Sequence, residues 1–291
     1  MFAITGITGK VGGATARALL EAGCKVRAVV RDKSRGVAWH SRGCDVAVAD
    51  ISNAASLAEA LTGAEGTFIL LPPTFDPAPD FSDVKATIAS IREALLRSAV
   101  PKAVVLSTIG ADAQRPNLLN GLRFLEESLA DLDMPIAFLR AAWFMENAAW
   151  DISSARDQGV ISSYLQPLDR PVPMVATDDV GRTAATLLRA NWVGHHVVEL
   201  EATARVSPNL IAAAFGKALN RTVKAEIVPR AENAFPIRAQ GMKNPMPRMQ
   251  MVDGFNEGWI DFRDQGAQSR KGVTGIDEVV CALVSKSGSD S

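Results

Sequence analysis

Residues 2–23, FAITGITGKVGGATARALLEAG, decide the fold. The apolar run FAIT stops at Gly6, and from Lys10 onward the apolar residues recur at helical spacing until Gly23 ends the pattern. A strand, a glycine-rich turn and a helix N-terminus in that order make an anion site. Backbone N–H groups point at the ligand, and the helix dipole adds roughly half a positive charge. The glycines stand at G-x-x-G-x-x-G spacing rather than the commoner G-x-G-x-x-G. Gly6 permits the tight turn, Gly9 lets the backbone approach a pyrophosphate, and Gly12 lets helix and strand pack closely. Gly6, Ile7, Thr8, Gly9, Lys10, Val11 and Gly12 are the candidate phosphate cradle; the bland alternative is a glycine-rich turn with no ligand.

Outward from this turn the chain alternates strand-like and helix-like segments. KVRAVVR (25–31), CDVAVAD (44–50), GTFILLPP (66–73), KAVVLSTIG (102–110) and PIAFLRAAW (135–143) read as strands. VAWHSRG (37–43), NAASLAEALTG (53–63), DVKATIASIREALLRSAV (83–100) and LLNGLRFLEESLADL (118–132) read as the helices between them. The strands are nearly all apolar, as expected when helices cover both faces. The fold class expected is therefore α/β, a doubly wound parallel-sheet Rossmann fold, with a smaller mixed α/β C-terminal domain. The dinucleotide-binding domain is expected over residues 1–150, rejoined by about 177–201, where DDVGRTAATLLRAN reads as a helix capped by Asp178 and HHVVELE as an added strand. Residues 151–291 form the smaller domain, which contains the helix–strand pair SPNLIAAAFGKALN and TVKAEIVP. Its stretch NPMPRMQMVDGFNEGWIDF resists assignment, and a disordered tail is expected from about 285.

Bulk properties narrow the partners. The 291 residues carry a formal net charge of −1, which offers no footprint for nucleic acid or an anionic membrane. Cys24, Cys44 and Cys281 have neither C-x-x-C nor metal-ligand spacing, so no metal site is expected and the compartment reads as reducing. With a strand predicted from Phe2 and no apolar run of the roughly 18 residues a spanning helix needs, the expected location is cytoplasmic, without a leader peptide.

Which dinucleotide the cradle suits is read from the end of the second strand. There an acidic residue bonds a ribose 2′-hydroxyl, whereas arginine accommodates a 2′-phosphate. VVRDKSR places Arg31 directly at that end, with Lys33 and Arg35 after it, and favours NADP(H), since a guanidinium grips phosphate bidentately. Asp32 keeps NAD(H) possible. Asp50 ends the third strand, followed by Ile51; it can accept from an adenine amino group or cap the next helix. Leu71 and Pro72, in LLPP, end the fourth strand where the middle of a dinucleotide would pass. Ser107, in LST, ends the fifth beside the expected nicotinamide.

Taken together, TGITGKVG, VVRD, the aspartate of VAD, LLPP, VVLSTIGA, LRAAWFMEN, PVPMVATDDVGRTAATLL and VSPNLIAAAFGKALNRTVKAEIVP resemble the NmrA-like family of atypical short-chain dehydrogenase/reductases, over about residues 2–260. The resemblance implies a Rossmann domain binding NADP(H) or NAD(H) and a small C-terminal domain that forms a cleft. It embraces quinone reductases, azoreductase-like enzymes and regulators that bind the dinucleotide without turning it over.

Ordinary members of the wider superfamily pair a Tyr-x-x-x-Lys with a serine at the fifth strand for proton transfer. Counted back from Arg140, those positions fall near Leu122 and Glu126, which cannot do that job, and Tyr164 has Asp169 rather than a lysine nearby. Ser107, or Thr108, is the candidate group to orient a carbonyl; the alternative is a hydroxyl bonded to backbone at a strand end. Trp143, Phe144 and Asn147 are the candidate substrate pocket, extended by Met145, Trp150, Met246, Met249 and Met251, with core packing the simpler account for most. Glu146 has either a cleft role or a capping role. The loop PPTFDPAPDFSD (72–83) has the position and stiffness of a lid. His195 and His196 are adjacent, so on a strand they face opposite ways and share no metal; His196 is expected to lead into a core strand from a loop holding His195. The partner expected is a small molecule, aromatic or quinone-like, or a protein partner if the chain is a regulator.

Overall fold

The computed structural model describes residues 1–230, 242–262 and 269–289. Its centre is an eight-stranded sheet of β1 (Phe2–Ile4), β2 (Val26–Val30), β3 (Asp45–Val48), β4 (Gly66–Ile69), β5 (Ala103–Thr108), β6 (Ile136–Ala141), β10 (His195–Ala202) and β12 (Ser269–Gly272). The spatial order is β12-β10-β6-β5-β4-β1-β2-β3, and every neighbouring pair is parallel. From β1 the chain winds one way through β2 and β3, then returns to the other side of β1 at β4. That reversal opens a crevice at the carboxyl ends of β1 and β4, where ligands of such sheets bind. Two small parallel pairs stand apart: β7 (Trp143–Phe144) with β9 (Met174–Val175), and β8 (Val160–Ser163) with β11 (Lys224–Ile227).

Side-chain alternation sorts the sheet into two cores. Ile4, Phe68, Val104, Leu139, Val198 and Leu200 pack beneath α1 (Lys10–Glu21) and α7 (Thr177–Arg189). Ala3, Val29, Ile69, Val105 and Phe138 face α3 (Ala54–Leu61), α4 (Ser82–Ser98) and α5 (Asn120–Leu129). The backbones of α1 and α7 nearly touch: a Cβ on Gly181 would lie 2.4 Å from that of Ala14. Among the described residues the remaining helices are α2 (Lys33–His40), α6 (Ile152–Asp157), α8 (Pro208–Leu219), α9 (Met246–Glu257) and α10 (Ile276–Ser289), with a 3-10 helix over Met145–Asp151. Among the described residues no helix is long and apolar enough to cross a membrane.

Four local expectations are corrected. First, α2 starts at Lys33 rather than Val37, because Asp32 caps it by accepting from the Ser34 N–H at 2.8 Å. Second, His195 is the first residue of β10, not a loop residue; its Nε2 lies 3.0 Å from the Leu132 carbonyl, while His196 Nε2 sits 2.8 Å from that of Val193. Third, the chain stays helical to Ser289, past residue 285, with Val280 buried and Leu283 and Val284 packed against Ala212 and Phe215 of α8; Asp290 and Ser291 lie outside the described residues. Fourth, Asp178 does not cap α7, for a reason that belongs to the site. The unassigned stretch from 244 contains α9, begun with prolines in its first turn. β12, read from nothing in the sequence, is the edge strand Ser-Arg-Lys-Gly, whose charges suit an exposed sheet edge.

Candidate functional site

The crevice at the sheet's switch point is floored by the turn between β1 and α1. Gly6 has φ +60°, and a Cβ there would also press on Leu70 at 3.3 Å. Gly12 is under stricter control: its Cβ would stand 2.3 Å from the Gly6 carbonyl oxygen and 2.6 Å from its carbon. At Gly9, which donates to Gly6 O at 2.9 Å, the same test gives 3.2 Å. Ile7 and Val11 bury their side chains in the core, so they offer the crevice only backbone, while Thr8, Gly9 and Lys10 form the exposed crest. Helix α1 has no acidic residue in its first turn and no side-chain cap. Its leading N–H groups are thus left for an outside acceptor. The cradle fits a pyrophosphate.

Thr5 ties the two sides of the switch point together, a role the sequence did not suggest. Its Oγ1 donates to Phe68 O at 3.0 Å and accepts from Leu70 N at 2.9 Å, fixing the start of LLPP beside the turn. Leu71 is half-buried against the second core and Pro72 is exposed. On the other flank, Arg31 is exposed immediately after β2. Asp50 accepts from Ser52 N at 2.9 Å and Ser52 Oγ at 2.6 Å; these bonds, with the charge of Arg31, hold its carboxyl below the usual range. Arg31 and Asp50 therefore share one corner. Asp50 does not cap α3, because Asn53 does so through Ser56 N, and Ile51 is half-buried beside it.

At the end of β5 the geometry departs from the backbone-bonded reading of Ser107. Its hydroxyl bonds no backbone; it donates to Glu126 Oε1 on α5. Arg140, opposite Ser107 on β6, grips the same carboxylate at 3.0 Å through Nε and 2.7 Å through Nη2, and its Nη1 lies 3.6 Å from Asp112. Burial works against the Arg140 charge, but Glu126, Asp112 and Glu199 keep the guanidinium above its ordinary pKa. Leu122 is half-buried against the second core, and Tyr164 follows β8, its carbonyl accepting from Asn256 Nδ2 at 3.0 Å.

A match to the NmrA-like family runs over residues 1–263. The chain belongs to that family. It is 24% identical over 262 residues to an NAD(P)H azoreductase of Xenophilus azovorans, covering 88% of this chain and 85% of that protein. Its fold is similar to the NADPH complex of the Escherichia coli NADPH-dependent quinone oxidoreductase QOR2, with a TM-score of 0.80, 23% identity, and 97% and 99% of the two chains covered. It is likewise similar to the triphenylmethane reductase of Citrobacter sp., with a TM-score of 0.79, 19% identity, and 98% and 99% covered.

In this NmrA-like chain the motif WFMEN spreads over several surroundings. Trp143 packs edge-on to Phe255 of α9 at 5.2 Å, while Phe144 turns to the core under α1. Met145 and Met249 are buried, Met251 is half-buried, and Trp150 and Met246 are exposed. The Asn147 side chain is half-buried with no hydrogen-bond partner among the described residues. Glu146 is the true acceptor at the α7 N-terminus. Its oxygens take the Thr177 N–H at 2.8 and 3.0 Å and the Thr177 hydroxyl at 2.6 Å. Asp178, expected to cap, pairs instead with Arg17 at 2.9 Å. The carboxylate that satisfies the helix comes from 31 residues away, which local sequence cannot reveal. The loop read as a lid is latched: Asp76 accepts from Lys243 N at 2.9 Å and Asn244 N at 2.7 Å, just before α9.

Asp151 closes the same 3-10 helix, and burial pushes its carboxyl from 3.8 up to about 6. Between about pH 4 and pH 6 the folded chain keeps a proton that the unfolded chain has released, so this group's stabilising effect is full at low pH and fades as pH rises through 6. Asp151→Asn has no charge to bury. It is expected to melt a few degrees higher than the parent at neutral pH and at the same temperature near pH 4. Identical melting at both pH values would refute the burial cost.

Proposed function

We propose that this protein is an NADP(H)-dependent reductase that acts on a quinone-like or other conjugated carbonyl acceptor. The observation that carries the cofactor is the exposed Arg31 beside the glycine cradle, with the neighbouring Asp32 carboxylate engaged in capping α2. The Gly6–Gly12 turn would hold the pyrophosphate, Arg31 the 2′-phosphate, Asp50 and Ile51 the adenine edge, and Leu71 and Pro72 the middle of the molecule. When bound, NADPH supplies the hydride. NAD(H) remains a possible substitute, lacking only the phosphate that Arg31 would grip.

The named activities of the azoreductase and the QOR2 and triphenylmethane reductases support a reductase reading and an aromatic or conjugated acceptor. Between residues 1–150 and the smaller part, Trp143 and the Asn147 amide, which has no side-chain partner among the described residues, would position such an acceptor, with Phe144 backing them from the core side. Ser107 holds its proton on Glu126, so the proton that completes reduction would come from the Thr108 hydroxyl or from solvent.

A second reading, a regulator that binds the dinucleotide and signals its redox balance to a protein partner, is favoured by Leu122 and Glu126 standing where a Tyr/Lys pair would. One experiment separates the two: NADPH absorbance is followed with the purified protein and a panel of quinones. Steady oxidation with at least one quinone is expected and would sink the pure regulator. Tight NADPH binding with no oxidation across the panel would sink the reductase.

A further inference from the structure

We infer that Ser107 serves the bound dinucleotide as a hydrogen-bond acceptor, taking an N–H of the nicotinamide carboxamide on its Oγ lone pairs, and does not donate to the carbonyl of the acceptor. The inference rests on the NADP(H) reading above. A serine hydroxyl has one proton and two lone pairs, and a carboxylate only accepts. Glu126 is gripped by Arg140 through two bonds of 3.0 and 2.7 Å, which marks it as the ionised partner of a bidentate pair. The proton between Ser107 Oγ and Glu126 Oε1 therefore comes from the serine, and what remains on Oγ is acceptor capacity.

A carbonyl oxygen also presents only lone pairs, so it would meet Ser107 with repulsion rather than a bond. At the reacting end of the dinucleotide the carboxamide carries the N–H groups that suit a fixed acceptor. Ser107 is 2% exposed, so a ligand group would meet its oxygen only when seated directly against the end of β5. Glu126 and Arg140, with side chains 12% and 14% exposed, touch Ser107 or each other and act as positioning residues that lock its rotor. The carboxylate at 126 thus gives the position a job of its own: orienting an acceptor.

The test is equilibrium binding of NADP+ and of its 3-acetylpyridine analogue, in which the amide NH2 is replaced by a methyl group. Tryptophan fluorescence or calorimetry reads both. The parent protein is expected to bind NADP+ about three- to tenfold more tightly than the analogue, the worth of one hydrogen bond. Ser107→Ala, which keeps the Glu126–Arg140 pair, is expected to bind the two alike. Glu126→Gln, whose amide can donate as well as accept and so no longer forces the serine proton away from the ligand, is expected to narrow the preference. A parent without preference, a Ser107→Ala variant that keeps the parent's ratio, or one that weakens both ligands by the same factor would each overturn the inference while leaving the cofactor reading intact. Failure of the parent to bind either dinucleotide would overturn the proposed function and this inference with it.

Discussion

Gly12→Ala is expected to lower NADPH affinity at least about a hundredfold and to lower the melting temperature, the larger of two effects aimed at the cofactor site. The added Cβ would meet the Gly6 carbonyl oxygen at 2.3 Å, the Gly6 carbon at 2.6 Å and the Ile7 nitrogen at 2.9 Å. All three are backbone atoms, so no rotamer change relieves the contact. Either α1 moves off the turn or the turn opens, and each displaces the N–H groups that cradle the phosphates. Displacement by about an ångström is enough for a loss on the order of a hundredfold. Gly9→Ala supplies the contrast, since its Cβ would lie 3.2 Å from the same oxygen and a shift of a few tenths of an ångström accommodates it. Calorimetric titration with NADPH, alongside thermal melting, checks both variants. A Gly12→Ala protein that binds NADPH as the parent does would show that the turn is not the phosphate site.

Arg31→Ala is expected to weaken NADP(H) binding roughly ten- to hundredfold, the value of a charge-assisted contact to phosphate, while NAD(H) binding stays nearly unchanged. Two features confine the effect to the 2′-phosphate. Arg31 is exposed at the end of β2, beside Asp50, at the corner where the second and third strands leave the sheet. Asp32, the residue that would otherwise compete for a ribose hydroxyl, is held by Ser34 N at 2.8 Å, and its bonds to Ser34 keep its carboxyl ionised below the usual range. Affinities for the two dinucleotides, measured on both proteins, decide the matter. Equal losses for NADP(H) and NAD(H) would show that Arg31 does not read the phosphate.

Much of the architecture was legible in short stretches because its causes are local. Val-, Ile- and Leu-rich runs broken by Gly and Pro mark strands covered on both faces, and the three glycines mark one turn that admits no Cβ. The family motifs added specificity, WFMEN and the glycine turn being the two that are distinctive on their own. Illegible were the contacts that close over long separations. Neither the Ser107–Glu126–Arg140 group nor the Glu146 cap on α7 has a sequence signal beyond the presence of the residues, because each depends on which strands become neighbours. β12 was invisible for a related reason. Its four residues carry no apolar pattern, and the edge of β10 supplies the pairing that makes them a strand.

Side-chain periodicity and steric limits within a few residues already dictate the parallel doubly wound sheet, the glycine turn at its first strand and the basic residue at the end of its second. What the polar groups around the crevice do follows instead from how the folded chain brings them together. The fold committed Asp32 to a helix cap, sent Glu146 to α7 instead of the cleft, and spent the proton of Ser107 on Glu126. A hydroxyl or carboxylate has several partners open to it in one dimension. Which one it takes is settled by the geometry of neighbours that the folded sheet, and not the chain order, brings within 3 Å.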